Sequence, residues 1–310
     1  MRNIVTFILL IFFHHHLYAE SRDALSFRLK ASVVKVHVGT KKGGYGVGTG
    51  VAISPDLVAT NCHVLANSTG VSITKFGNTH TPVALKADWE HDLCILRFQY
   101  ADLIPVELGD SESLQYEQDI FSIGFPGGPP KPQYTEGKIK ALYAFDDSHI
   151  IRTDASFVMG ASGSPIFDTD GKLVAMSTFK SPGKNAYYYN IPVQWIKTLL
   201  GQPDIISTVT EIVPFWDMPE EQRPFFMRVV QLFKNEKWGE LHQIAQLWLK
   251  SEPNSAEAFY YAGVAEEKMN HLKEAKQYFQ QALVIHPEHP AAIIGLRCTE
   301  KTAISCNDNF

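Results

Sequence analysis

Three short stretches carry residues that could do chemistry together. In Met159-Gly160-Ala161-Ser162-Gly163-Ser164-Pro165, small residues surround Ser162 just before the apolar run Ile166-Phe167. Such a stretch suits a tight turn, because Gly tolerates unusual φ/ψ and Ser bonds its own backbone. A seryl hydroxyl becomes a nucleophile only beside a base that a third group holds in place. The base candidate is His63, in Ala59-Thr60-Asn61-Cys62-His63-Val64-Leu65, where a β-run ends. The orienting candidate is Asp92, which directly precedes the apolar strand Leu93-Cys94-Ile95-Leu96, whereas Asp88 and Glu90 belong to the polar connection before it. A carboxylate drawn inward needs donors or a cationic partner, and an imidazole that becomes positive during reaction is one. Singly, each residue has a plainer role: a turn serine, a core histidine, a turn cap. Together they describe acyl transfer. His91, His149, His242, His271, His286 and His289 fall in polar or helical contexts typical of solvated side chains.

The elements that must position this trio are short and β-rich. From about residue 30 to 200, runs such as Ser32–Val38, Val51–Ile53, Val71–Thr74, Leu93–Leu96, Asp119–Ile123 and Lys172–Met176 alternate with Gly, Pro, Asn and Asp. Many short strands at such spacing predict a sandwich or a pair of barrels. The Gly-rich piece Gly43 to Gly50 fits neither a dinucleotide fingerprint nor a P-loop, and predicts a hairpin turn leading into a strand.

As a set, the three segments resemble the chymotrypsin-fold serine proteases, and in particular the HtrA/Deg branch. Members of that branch carry GTG- or GSG-type, TNxHV, DLAxL and TDAxxxxGxSGG segments. Here they read Gly48-Thr49-Gly50, Thr60-Asn61-Cys62-His63-Val64, Asp92-Leu93-Cys94-Ile95-Leu96, and Thr153-Asp154-Ala155 through Gly163, with Asn190-Ile191-Pro192 before a helix-like Val193 to Leu200. The resemblance covers about residues 30 to 200. It implies two six-stranded β-barrels, with His63 and Asp92 from the first and Ser162 from the second, meeting in the cleft between them. It also implies that the backbone N–H groups of Gly160 and Ser162 form an oxyanion hole, a task for a turn without bulky side chains.

Two residues depart from the HtrA pattern. Ser164 stands where Gly is usual, although GxSGSP also resembles the glutamyl endopeptidases, and Ala161 stands where Asn or Asp is common. The residues expected to hold substrate are Ser156, Met159, Met176, Ser177 and Thr178. The resemblance implies that Ser156 lies near the pocket base, where an acid would select Arg or Lys and none stands, and that Ser177 occupies the place where glutamyl endopeptidases carry His. Small or medium apolar side chains before the cut are therefore expected, with Asp154 the acid that could spoil that preference.

After Gly201 the chain crosses Val213-Pro214-Phe215-Trp216-Asp217-Met218-Pro219-Glu220-Glu221, and its periodicity turns helical. Pro253 and Pro287 are 34 positions apart (287 − 253), the tetratricopeptide period. Ala256 to His289 resembles one such repeat, with Phe259, Ala262, Gly263, Ala275, Phe279, Ala282 and Pro287 at its packing positions. Residues 222 to 255 match more weakly, and Pro290 to Leu296 begins a capping helix. About three repeats are normally needed for independent stability, so this array is expected to lean on the preceding domain or on a partner. The fold class expected is mainly β, a double six-stranded barrel, followed by an all-α tetratricopeptide-like domain. The divisions are 1–19, 24–200, 201–221 as linker, and 222–310.

Composition bounds the rest. At 310 residues, 45% hydrophobic and 20% charged, the chain can bury real cores. A net charge of −5 without a basic run argues against nucleic acid. Met1-Arg2-Asn3, the apolar run Ile4 to Phe13 and Ala19 form the pattern of a secretory signal peptide cut after Ala19, too short to span a bilayer. A secreted or periplasmic protein is expected, with no stable membrane anchor after cleavage, no cofactor and no metal. Cys298 with Cys306 could close a small loop, while Cys62 and Cys94 could be paired or simply buried thiols. The activity expected is that of a serine endopeptidase acting on protein or peptide, with the helical region recruiting substrate or a protein partner. The alternative is a protease-fold adaptor that works through binding alone.

Overall fold

The computed structural model describes residues 20–183 and 186–300. The proposed signal segment 1–19 and Cys306 lie outside the described residues. An N-terminal helix, α1 (Arg22–Lys30), buries Leu25 and Leu29 against the β domain. The strands of the first half are β1 (Val33–Gly39), β2 (Tyr45–Ser54), β3 (Leu57–Asn61), β4 (Gly70–Lys75), β5 (Asn78–His80), β6 (Ala84–Asp88) and β7 (Leu93–Arg97), with the one-turn helix α2 (Cys62–Leu65) after β3. They form one antiparallel sheet in the order β5-β4-β1-β2-β3-β7-β6. The second half holds β8 (Asp119–Gly124), β9 (Gln133–Phe145), β10 (Ser148–Thr153), β11 (Pro165–Phe167), β12 (Leu173–Lys180) and β13 (Tyr188–Pro192). These six close into a barrel, β10-β13-β12-β11-β8-β9.

The double-barrel architecture is the one expected, and the first sheet differs in detail. It has seven strands and its two edges, β5 and β6, do not pair with each other. The reason lies in what covers the β6 edge: Leu85 and Ile205 exchange both backbone hydrogen bonds, at 2.8 and 2.7 Å. An edge strand left bare would invite pairing with another chain, and here the segment after the β domain occupies it.

That segment follows α3 (Val193–Leu200), an amphipathic helix that buries Val193, Trp195, Ile196 and Leu199. From Gly201 to Trp216 it is a strap laid across the first sheet. Asp204 pairs with Lys86 at 2.9 Å and with Arg97 at 2.6 Å. Asn67 N–H donates to the Thr208 carbonyl at 2.8 Å, and Phe215 N–H to the Glu90 carbonyl at 2.9 Å.

The helical region comprises α4 (Phe225–Lys234), α5 (Trp238–Ser251), α6 (Ala256–Lys268), α7 (Leu272–Ile285) and α8 (Pro290–Glu300). Short connections make successive helices neighbours. The starts of α5 and α7, and those of α6 and α8, are 34 positions apart (272 − 238 and 290 − 256). Phe279 explains the small residues around it: a Cβ on Gly263 would come within 2.7 Å of its ring and one on Gly295 within 2.5 Å. The helices do not stand alone, because Phe226 stacks on Tyr143 of β9 at 4.7 Å and Trp248 and Tyr261 share one continuous core with β9 and β13. Among the described residues no helix is long and apolar enough to cross a membrane.

Candidate active site

His63 sits on α2, a single turn that begins where β3 stops. Asp92 lies in the tight turn between β6 and β7, at φ 61°, in the left-handed region that Asp tolerates better than most residues. Two links hold these elements together. Asp92 offers its carbonyl to Cys62 N–H at 3.2 Å and to the Asn61 side-chain amide at 3.1 Å. Cys62 and Cys94 are joined by a disulfide, Cα–Cα 4.9 Å, so the residue before His63 is tied to the strand just after Asp92. The question the sequence left open, pair or thiols, is answered as a pair.

The Asp92 carboxylate is fully buried and receives three donors. His63 N–H donates to Oδ1 at 2.7 Å, the His63 ring meets Oδ2 through Nδ1 at 2.6 Å, and Trp216 Nε1 donates to Oδ2 at 2.9 Å. An ionised carboxylate only accepts, so Nδ1 carries the proton and Nε2 is left as an acceptor. The His63 side chain is 29% exposed, open on the side away from Asp92. Trp216 comes from the strap and packs edge-on to the His63 ring at 5.4 Å. Nothing local in the sequence marked it, since it stands 124 positions from Asp92.

Ser162 sits within a turn built on two glycines. Gly160 has φ 93° and Gly163 φ 85°. A Cβ on Gly160 would stand 2.6 Å from the Phe125 carbonyl, and one on Gly163 2.1 Å from the Thr49 carbonyl. Thr49, on β2, joins this turn to the first sheet: its N–H donates to the Ser162 carbonyl at 2.8 Å and its hydroxyl to the Gly160 carbonyl at 2.9 Å. Its own carbonyl accepts from the Thr60 hydroxyl at 2.7 Å, two residues before α2. Gly48 completes the meeting, because a Cβ there would touch both Val64, next to His63, and the Ser162 carbonyl.

The peptide plane before Gly160 is fixed from outside the turn. Gly127 N–H, in the β8–β9 loop, donates to the Met159 carbonyl at 2.7 Å. In a trans peptide the N–H points opposite the carbonyl, so Gly160 N–H is directed away from that loop. Neither Gly160 N–H nor Ser162 N–H finds an acceptor among the described residues, while Ala161, Gly163 and Ser164 N–H are all taken. Lys35 steadies the same loop through the Gly128 carbonyl at 2.9 Å. Ser164 is buried against Gly124, where a Cβ would fall 1.9 Å from the Ser164 hydroxyl oxygen, so the glycine at 124 makes room for the serine at 164.

A cleft of about 740 Å³ opens beside Ser162. Of the residues expected to hold substrate, Met159, 88% exposed, and Thr178 line it. Met176 and Ser177 do not: both are fully buried, because the middle of β12 has strand neighbours on both sides within the closed barrel. Ser156 is exposed but lies outside the lining. Asp154 also stays out of the cleft, accepting from Lys138 N–H at 2.6 Å. Walls that were not foreseen come from Trp216 and from Arg223, Met227, Val230 and Gln231 at the start of the helical region.

His91, beside the candidate aspartate, is not the solvated residue its context predicted. Its ring lies against Trp195, centroids 4.1 Å apart and planes tilted by 36°, and it pairs with Asp88 and Asp146, each at 2.7 Å. Burial disfavours its charged form, but the hydrogen bonds and charges of Asp88 and Asp146 outweigh that and raise its pKa to about 9.

The fold is that of the trypsin-like class. Comparison with known proteins agrees: residues 48–176 match the family described as the trypsin-like peptidase domain. A Chlamydia muridarum protein named probable periplasmic serine endoprotease DegP-like is 30% identical over 165 residues, 50% of this chain and 33% of that protein. Protease Do-like 4, mitochondrial, from Arabidopsis thaliana is 31% identical over 168 residues, 49% of this chain and 31% of that protein. The chain thus spans about a third of the length of these curated relatives. Among solved structures, the active form of the Rv3671c protease from M. tuberculosis superposes with a TM-score of 0.55 at 21% identity, over 60% of this chain and 88% of that one. The HtrA-type protease AlgW with tripeptide gives 0.52 at 24% identity, over 57% and 61%.

Proposed function

We propose that this chain is a serine endopeptidase of the HtrA/DegP type, with His63, Asp92 and Ser162 as its triad. In this reading His63 Nε2 takes the Ser162 proton as the hydroxyl oxygen bonds the scissile carbonyl carbon. The C–N bond then breaks, and the same proton passes to the leaving amine. Water repeats the sequence on the acyl-enzyme, and Asp92 holds the imidazole tautomer and stabilises the imidazolium throughout. The oxyanion takes hydrogen bonds from Gly160 and Ser162 N–H, each such donor being worth about 2.7–4 kcal/mol.

The observation that carries the reading is the three-donor seat of Asp92 with His63 Nδ1 already committed to it, beside a Ser162 turn two of whose N–H groups have no acceptor among the described residues. An adaptor has no physical need for that arrangement. The signal-like N-terminus and the periplasmic relatives support a secreted or periplasmic location, where the Cys62–Cys94 bond would persist. The 34-residue helical period supports a tetratricopeptide-like module that engages protein substrates or partners.

A fluorophosphonate probe tests the activity. Covalent labelling of the folded protein that disappears in Ser162→Ala supports the endopeptidase. Absence of labelling in the folded wild type gives the adaptor its place.

A further inference from the structure

We infer that the cleft beside Ser162 holds a subsite for a bulky apolar side chain of the substrate, and that the helical region, not the β domain alone, forms it. The inference deepens the proposed endopeptidase reading and rests on it. Two observations lead there. The first is an open strand edge. On one side β12 pairs with β11 only as far as Met176, so among the described residues Thr178 to Lys180 have no strand neighbour on that side. An extended peptide can add itself to such an edge, its backbone hydrogen-bonded and alternate side chains directed into whatever flanks it.

The second observation is what flanks it. Phe179 and Trp216 are stacked, ring centroids 5.8 Å apart and planes 16° from parallel, and α4 supplies Met227 and Val230. These four come from three separate parts of the chain: a barrel strand, the strap and the first helix of the helical region. Val230 is fully buried and Phe179 nearly so, which makes them a floor, while Met227 and Trp216 are half-buried walls. Methionine adapts its shape and gains from sulfur–aromatic contact, so such a wall suits aromatic or long aliphatic side chains. The rim is cationic, with Lys180 exposed and the Arg223 Nε tied to the Met218 carbonyl at 2.6 Å. The volume of about 740 Å³ lies within the range of sites that enclose whole small ligands, so a large ring fits.

The test uses the full chain. Peptide libraries randomised on both sides of the cleaved bond are digested by wild type, Met227→Glu and Met227→Ala. One position should prefer Phe, Leu, Met or Tyr, and Met227→Glu should lower that preference roughly tenfold or more, with Met227→Ala intermediate. In parallel, calorimetry measures binding of the preferred peptide, or of a fixed panel of apolar and acidic hexapeptides, to Ser162→Ala with and without Met227→Glu. This arm needs no turnover, so loss of binding on Met227→Glu supports the subsite even where cleavage is not seen, which would instead count against the endopeptidase. Equal binding and unchanged preference in both Met227 variants would overturn the subsite and leave the peptidase standing. A preference for Asp or Glu, read by Lys180 and Arg223, would also overturn it.

Discussion

Trp216 Nε1 donates a 2.9 Å hydrogen bond to Asp92 Oδ2, the same oxygen that meets His63 Nδ1. One residue of the strap thereby touches both Asp92 and His63. Without it the buried carboxylate would lose one of three donors, and a hydrogen bond to a charged group is worth about 1.5–3 kcal/mol. Trp216→Phe keeps the ring against His63 and Phe179 and removes only the N–H. The expected result is a fall in kcat of about tenfold with KM little changed. A Trp216→Phe variant with wild-type kcat would show that the indole only packs.

The Gly160 position should be intolerant of any side chain. Its positive φ and the 2.6 Å approach of the Phe125 carbonyl leave no place for a Cβ. Gly160→Ala is expected to cut kcat by about 10²–10³, because the turn must shift to admit the methyl and carries the 160 N–H out of line with the oxyanion. Peptide binding to the cleft, measured by calorimetry, should survive. Parallel loss of binding and of the thermal transition would instead indicate a folding defect.

The disulfide should contribute to stability. Cys62 and Cys94 are separated by 32 positions, and closing a loop of that size stabilises by about 3–4 kcal/mol in the chain-entropy account. The double variant Cys62→Ala/Cys94→Ala should unfold at correspondingly lower denaturant. Its β3–β7 register, Thr60 opposite Cys94, is held by backbone bonds as well, so the folded fraction should retain measurable labelling at Ser162. Unchanged unfolding would show that the pair is structurally idle.

Stability should fall at alkaline pH through His91. Its pKa is raised from about 6.5 to about 9, so the stabilisation it brings is fully present below about 6.5 and is lost as pH rises through about 9. Thermal unfolding of wild type and His91→Gln should differ most at pH 6 and converge by pH 10. Parallel curves across that range would remove His91 as the source.

The double-barrel class was legible, and the candidate trio could be named, because both are written in short local text: a histidine just past a strand end, an Asp before an apolar strand, and a glycine-flanked serine. The helical period was legible for the same reason, since residues such as Ala262, Ala275, Phe279 and Ala282 recur on fully buried faces. What was not legible depends on contacts between distant segments. Gly201 to Trp216 reads as a polar, proline-bearing connection, and only the folded sheet supplies the Leu85 edge, Asn67 and Asp92 that it meets. Met176 and Ser177 were misplaced because sequence position alone does not tell which stretch of β12 has an open edge. The openness of the first sheet likewise depends on a remote occupant of the β6 edge.

The strap also sets where this molecule can be divided. A truncation ending at Gly201 would keep His63, Asp92 and Ser162 and still deliver a damaged site, with an uncovered β6 edge prone to self-association, Asp92 short of a donor and one bank of the groove missing. Expression boundaries drawn around the β domain alone therefore cut through the candidate site itself.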